Sequence, residues 1–216
     1  MSRERSRVTV RRKPDRASYD RDVINAILDE APFCHVGFVD DEVPFVMPMI
    51  HARVEQTLYL HGSPGSRLVK LLTSGARICV AATILDGLVL ARSAPFHSMN
   101  YRSVVVLGRA RLVDDQEKVR ALEAVVDHVL PGRRPDVRAP SEPELATTRV
   151  VALPIDEASA KIRRGPPKDL PDDVSAQVWA GVVPLALTPG EPVPVDDLPP
   201  GVSVPDYVHA YGRNGR

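Results

Sequence analysis

A mainly β (α+β) fold, a small antiparallel β-barrel with peripheral helices, is what this 216-residue sequence predicts. Three observations carry that expectation. Short apolar runs rich in β-branched residues recur with turn residues between them. Only two or three stretches show helical periodicity, too few for the alternation of a doubly wound sheet. Most of the 21 prolines lie beyond residue 130, so regular elements should thin out there and leave a proline-rich C-terminal tail.

Helical periodicity appears first at Asp20 to Glu30. Val23, Ile24, Ile27 and Leu28 share a stripe there, and the charge of Asp20 suits the N-terminal end of the dipole. Phe33 to Val39 reads as a strand, Asp40 to Glu42 as a turn, and Val43 to Arg53 as a second strand. Pro44 and Pro48 each remove a ladder donor from it, which implies an edge, a bulge or interrupted pairing. Leu58 to Leu60 is a third strand. A glycine-rich turn and a helix follow, with Ser66 as cap, Leu68, Leu71 and Leu72 at helical spacing, and Ser74-Gly75 as the stop.

Arg77 to Leu85 is a nearly continuous apolar run, the pattern of a buried central strand. Asp86-Gly87 carries a hairpin signal, with Leu88 to Ala91 as the returning strand. Beyond the polar loop Ser93 to Asn100, Tyr101 to Val113 reads as one long strand with a bulge or bend at Gly108. Asp114 or Asp115 caps a helix striped by Val119, Leu122, Val126 and Leu130, which Pro131-Gly132 ends. Thr148 to Ile155 and Ala158 to Arg164 are two closing strands. In the tail, Gln177 to Leu185 holds the only tryptophan, Trp179, and is apolar enough to require a docking surface.

These elements divide the chain into a basic flexible arm at 1–17, a barrel domain at 18–167, and a proline-rich extension at 168–216. The arm carries Arg3, Arg5, Arg7, Arg11, Arg12, Lys13 and Arg16, the composition of a solvated terminus. No apolar segment of signal-peptide type follows it, and no apolar run reaches the roughly 18 residues of a membrane span. A cytoplasmic protein without a membrane partner is expected. Lys and Arg total 28 and Asp and Glu total 28, a balance that argues against nucleic acid as a partner. Cys34 and Cys79 lie in apolar, strand-like runs and read as small buried hydrophobes in a reducing compartment.

Candidate chemistry starts at Leu58 to Leu72. The turn His61-Gly-Ser-Pro-Gly65 leads into a helix start where free amides, Ser66, Arg67 and Lys70 could cradle a phosphate. The same residues also fit an ordinary β-to-α turn. Neither GxxxxGK[ST] nor GxGxxG is present, and GxSxG is absent too. The histidines His35, His51, His61, His97, His128 and His209 show no metal-ligand spacing, so no metal is expected. What remains is a distributed set at strand ends: Ser66 and Arg67, the stretch His97 to Ser103, and Trp179. It suits a cofactor with a phosphate at one end and a flat ring at the other, lying against a donor-poor strand and covered by an aromatic.

At these residues the chain resembles the pyridoxamine 5'-phosphate oxidase-related flavoproteins, which share the FMN-binding split antiparallel β-barrel. It is most similar to the nitroimidazole-reductase-like branch. The resemblance spans roughly Ala26 to Leu185. It rests on Val36-Gly37-Phe38, Pro44-Phe-Val-Met-Pro48, Leu58-Tyr-Leu-His-Gly62 with Ser66-Arg67, Asn100-Tyr-Arg-Ser-Val-Val-Val-Leu-Gly108, Lys161-Ile-Arg-Arg-Gly-Pro-Pro167 and Val178-Trp-Ala-Gly-Val-Val-Pro-Leu185. It implies FMN as cofactor, with the backbone of Val46, Met47, Pro48 and Met49 along the flavin ring. It also implies His61, Gly62, Ser66, Arg67 and Lys70 at the phosphate turn, and His97, Ser98, Tyr101, Arg102, Ser103 and Trp179 near the cofactor. The family's Ser-Arg-Lys turn reads Ser66-Arg67-Leu68 here, so a lysine is missing. The Arg-x-His ending of true pyridoxamine-phosphate oxidases is replaced by the Trp179 tail, which argues against vitamin B6 oxidation.

The function this implies is an FMN-dependent oxidoreductase acting on a small, electron-poor substrate such as a nitroaromatic, with NAD(P)H as a candidate electron donor. His61 is the first candidate to tune the flavin or meet the substrate, ahead of His97 and Tyr101. The resemblance further implies a homodimer with FMN between subunits, and an extension that packs on the barrel or on the partner. The alternative is a non-catalytic flavin carrier or sensor; a deazaflavin or haem in the same barrel is a third reading.

Overall fold

The computed structural model describes residues 5–212. Its elements begin with α1 (Arg5–Val8), β1 (Ala17–Ser18), α2 (Arg21–Glu30), β2 (Cys34–Asp40), β3 (Val43–Met49), β4 (His51–Val54) and β5 (Thr57–Gly62). They continue with α3 (Arg67–Thr73), β6 (Arg77–Leu90), β7 (Ser98–Arg109), β8 (Arg111–Leu112) and α4 (Asp115–Val129). The last are α5 (Glu142–Ala146), β9 (Arg149–Pro154), β10 (Glu157–Arg163), β11 (Gly181–Pro184) and α6 (Asp206–Ala210). They fall into two units. One runs up to Met49 and takes in Arg77–Gly108 and Pro154–Ala186; the other holds Ile50–Ala76, Arg109–Leu153 and the chain from Leu187. Among the described residues no helix is long and apolar enough to cross a membrane.

The first unit is built on a seven-stranded sheet in the order β1-β10-β7-β6-β2-β3, with β11 also on β6. Asp40 pairs with Val43, so the β2–β3 hairpin has a two-residue loop, and both loop residues, Asp41 and Glu42, take positive φ of 49° and 64°. That mirror-image turn follows the twist of its strands, and acidic Asp41 tolerates it better than a branched residue would. β3 is the outer strand, and its two prolines lose no bond that the sheet needs on its free side. Alternation does the rest: Val80, Val89, Val104, Val106 and Ala160 are fully buried. Helix α2 adds Ile24, Ile27 and Leu28. Its Asp20 cap accepts hydrogen bonds from Asp22 N at 2.8 Å and Val23 N at 3.4 Å, as its position before the apolar stripe predicts.

The second unit carries a four-stranded sheet in the order β4-β5-β9-β8. Leu58, Leu60 and Leu153 are fully buried, and Val113, Ala121, Val150 and Ala152 form a cluster with Tyr59 and Leu122 against it. Burying side chains of this size stabilises by about 1.5–3 kcal/mol each. Asp114 caps α4 by accepting from Glu117 N at 2.8 Å.

Several expectations need correction. The run Val43 to Arg53 is two strands, β3 and β4, in different sheets, with the change at Ile50 just beyond Pro48. Asp86-Gly87 makes no hairpin: β6 runs straight through it for 14 residues, because β11 pairs along Gly87–Leu90 and supplies the partners a turn would forgo. The bend placed at Gly108 comes at Ala110, between β7 and β8. The inward face of α4 is Lys118, Ala121 and Val125, one position before the expected stripe. Small Ala121 lets the helix approach the sheet, and the Lys118 ammonium is satisfied by Asp115 Oδ1 at 3.1 Å and Leu145 O at 3.3 Å.

The basic arm is described from Arg5 onward, and its residues 1–4 lie outside the described chain. Val8 is buried, Val10 N donates to Tyr19 Oη at 2.9 Å, and β1 pairs Ala17 with Lys161. In the tail, Tyr207 of α6 packs on Gly132, donates to Asp136 Oδ2 at 2.5 Å and accepts from Arg133 Nη1 at 2.9 Å.

Candidate functional site

The expected site residues divide between the two units. In the second, β5 ends at His61 and Gly62 and the chain turns at once into α3. Gly62 makes that reversal possible, since a Cβ there would stand 2.8 Å from Val69 Cγ2 of α3. Ser66 N donates to Ser63 O at 3.0 Å and closes the Ser63-Pro64-Gly65-Ser66 turn; Gly65 N donates to Ser63 Oγ at 3.4 Å. Ser66 occupies the cap position, yet its hydroxyl makes no capping hydrogen bond. The first backbone bond of the helix runs from Lys70 N to Ser66 O, so the amides before it have no helical acceptor. The turn therefore presents an uncommitted hydroxyl, first-turn amides and the exposed cations Arg67 and Lys70, a donor set that fits a phosphate.

His61 stands beside this turn on β5. Its Nδ1 is buried and has no hydrogen-bond partner among the described residues. Burial pushes its pKa below the usual 6.5, so the imidazole is neutral at pH 7 and can offer one donor and one acceptor. It is the one expected site residue with an unspent buried nitrogen.

In the first unit, Val46 and Met47 of β3 are 66% and 44% exposed, flanked by Pro48 and Met49 on the outer strand of the sheet. An apolar, donor-poor strand left open in this way suits one face of a planar ring. Farther along, His97 precedes β7, and its Nδ1 lies 3.2 Å from Ser93 O. Ser98 is exposed, Tyr101 is half-buried, and Ser103 Oγ donates to Lys161 O at 3.2 Å. Trp179 is 65% exposed, and its ring edge sits over Gly181, where a Cβ would come within 3.0 Å. The tail docks through its neighbour β11, which pairs with β6.

Arg102 is placed differently from what the resemblance implies for a cofactor ligand. Its Nε reaches Asp86 Oδ1 and Oδ2 at 3.2 and 3.0 Å. Its Nη2 donates to Asp86 Oδ1 at 2.7 Å and Glu30 Oε1 at 2.6 Å, while Nη1 donates to Glu30 Oε2. Bonds to Glu30 first and Asp86 second raise its pKa above the usual value. The guanidinium is committed to pinning α2 and β6 onto β7. Glu30 and Asp86 were missed as its partners, because neither stands near Arg102 in sequence.

The Pyridoxamine 5'-phosphate oxidase family profile matches residues 20–162. The chain belongs to the pyridoxamine 5'-phosphate oxidase family. Its two open, antiparallel-paired sheets, neither closed on itself among the described residues, accord with the expected split-barrel class. This family member is also similar to the FAD and heme binding protein of Mycobacterium smegmatis. Identity there is 37%, coverage 91% of this chain and 97% of that one, and the TM-score 0.87. With flavocytochrome Anf3 of Azotobacter vinelandii it shares 39% identity over 95% of this chain and 96% of that one, with a TM-score of 0.88. A candidate 5-nitroimidazole antibiotic resistance protein of Bacteroides thetaiotaomicron is 27% identical, covering 68% and 86%, with a TM-score of 0.57. Among curated proteins there is no match.

Proposed function

We propose that this family member is a flavin-dependent oxidoreductase whose flavin phosphate is held by Ser66 and Arg67. The observation that carries the reading is similarity at 37% and 39% identity, over 91% and 95% of this chain, to a protein that binds FAD and heme and to a flavocytochrome. The donor set at the Ser66 turn supports it from the structure. FMN, which the resemblance implies, and FAD share the ring and the first phosphate, and the turn serves either.

Bound flavin supplies hydride and single-electron transfer; the protein supplies binding, orientation and local electrostatics. The Ser66 hydroxyl and first-turn amides would donate to the phosphate, with Arg67 adding charge and Lys70, two residues beyond Leu68, as a further exposed cation. The open strand Val46–Met49 offers the ring an apolar face. Gly62 belongs to the same turn, His97 stands just before β7 with Ser98, Tyr101 and Ser103 in its first half, and Trp179 offers an exposed aromatic ring as a cover. The neutral imidazole of His61, beside the Ser66 turn, would offer one donor and one acceptor to a bound group. The exposed apolar residues Val43, Val46 and Met47 on an outer strand favour a homodimer with the flavin at its interface. The substrate is a small electron-poor molecule and the electron donor NAD(P)H.

Heme as a second bound group is favoured by the same two relatives. The test is the visible spectrum of the purified protein, followed by acid release of the flavin, its identification as FMN or FAD, and a pyridine hemochrome assay. Oxidised-flavin bands and steady NAD(P)H consumption with a nitroaromatic acceptor are expected. Bound flavin with no turnover selects the carrier reading instead, and a colourless protein that ignores both added flavins refutes the proposal.

A further inference from the structure

Arg163 ends β10 at 7% exposure, and among the described residues it is a buried cation without a counter-charge. Its Nη1 donates to Asn100 Oδ1 and, at 3.1 Å, to Gly165 O; its Nη2 donates to Pro166 O at 3.2 Å. All three acceptors are neutral. A guanidinium keeps its proton under any ordinary condition, and buried charges in stable folds are paired with opposite ones. Here the other nearby charge has the same sign. Burial first and then Arg16 push the Arg163 pKa down, with Tyr101 acting the other way.

Arg16 is in turn half-buried, and among the described residues its guanidinium makes no hydrogen bond or ion pair. It precedes Ala17, which pairs with Lys161, so the fold brings the arm's last arginine to the end of β10. Lys161 and Arg163 are two apart on one strand and face the same side. Next to them Gly165 has φ +97° and open space where a Cβ would stand. Two cations brought to one strand end, one of them buried and neither with a carboxylate partner among the described residues, constitute half of an ionic interaction.

We propose that Arg163 and Arg16, with Lys161 beside them, form an oxyanion site that takes a phosphate or carboxylate group. The site belongs to the first unit and is separate in sequence from the Ser66–Arg67 turn. The donors left on the two guanidinium forks match the planar or tetrahedral oxygens of such a group. The proposal stands independently of the flavin reading, because nothing in it requires the ring.

The experiment is thermal unfolding of the purified full chain at constant ionic strength, with chloride exchanged for inorganic phosphate. Melting temperature rises saturably with phosphate, as for a ligand that binds only the folded state. In Arg16→Ala the apparent affinity falls by about tenfold or more, the loss of one charge-assisted bond. Among the described residues the Arg16 guanidinium makes no hydrogen bond or ion pair, so its truncation to Ala breaks none. Arg67→Ala retains the phosphate effect, which separates this site from the flavin turn. If a bound cofactor already supplies the oxyanion, free phosphate adds nothing and Arg16→Ala instead lowers the cofactor content of the purified protein. Equal stabilisation by chloride and phosphate with unchanged cofactor content in Arg16→Ala overturns the proposal, as does loss of the phosphate effect in Arg67→Ala alone.

Discussion

Asp86 grips Arg102 with both carboxylate oxygens: Oδ1 accepts from Nη2 at 2.7 Å and Oδ2 from Nε at 3.0 Å. Glu30 holds the far side of the same guanidinium. Side-chain exposure is 19% for Arg102 and 28% for Asp86, so the pair lies between a solvated ion pair and a fully buried one. Asp86→Asn keeps the shape and removes one charge. Stability in urea should fall by about 1–3 kcal/mol, between the ranges for those two situations. A midpoint equal to that of the parent protein would show that Glu30 alone neutralises Arg102.

Gly87, next to it, admits β11. A Cβ at this position would stand 2.9 Å from Val183 O and 3.1 Å from Val182 Cγ1, and the first of these is backbone. In Gly87→Ala the strands must separate, at a cost of about 1–3 kcal/mol. Hydrogen exchange should report the change locally, with faster exchange of the β11 amides at Gly181–Val183 than in the parent. Uniform protection in the variant would show that the strand pair absorbs the methyl group.

Acid sensitivity should involve His61. Its folded pKa lies below 6.5 because burial disfavours the imidazolium, so the unfolded chain binds the proton more tightly. The stability this group contributes is complete above about pH 6.5 and is lost as pH falls through the lower folded value. His61→Phe should flatten the dependence of melting temperature on pH over that acid interval. A slope identical to that of the parent protein removes His61 as its source.

Flavin affinity tests the phosphate turn. Arg67→Ala should weaken binding by about 1.5–3 kcal/mol, the range for one hydrogen bond to a charged group, with the loss read by fluorescence titration of the flavin-free protein. Unchanged affinity returns Arg67 to the role of a solvated surface charge.

Local signals were legible where one short stretch supplies both partners. Asp20 and Asp114 cap their helices through amides two or three residues away, and Gly75 takes φ +74° after α3 as the stop signal requires. The β5-to-α3 reversal was legible for the same reason, since Gly62, Ser66 and Arg67 lie within one short stretch. Asp86-Gly87 misled because its hairpin preference is weaker than a ladder of backbone bonds to β11, nearly a hundred residues later. The α4 stripe was displaced because apolar size was the only guide, whereas the sheet selects the small residue Ala121 and lets Lys118 bury its stem.

The sequence by itself determined the mainly β class, the starts of α2, α3 and α4, and the family, because each rests on propensity, spacing or a contiguous motif. Only the tertiary structure decided which charges meet. Arg102 is identical in sequence to any other strand arginine until Glu30 and Asp86 close on it, and Arg163 is unremarkable until burial leaves it with neutral acceptors and Arg16 for company. Electrostatic energy depends on through-space distance and on exclusion of water, and neither quantity is written along the chain.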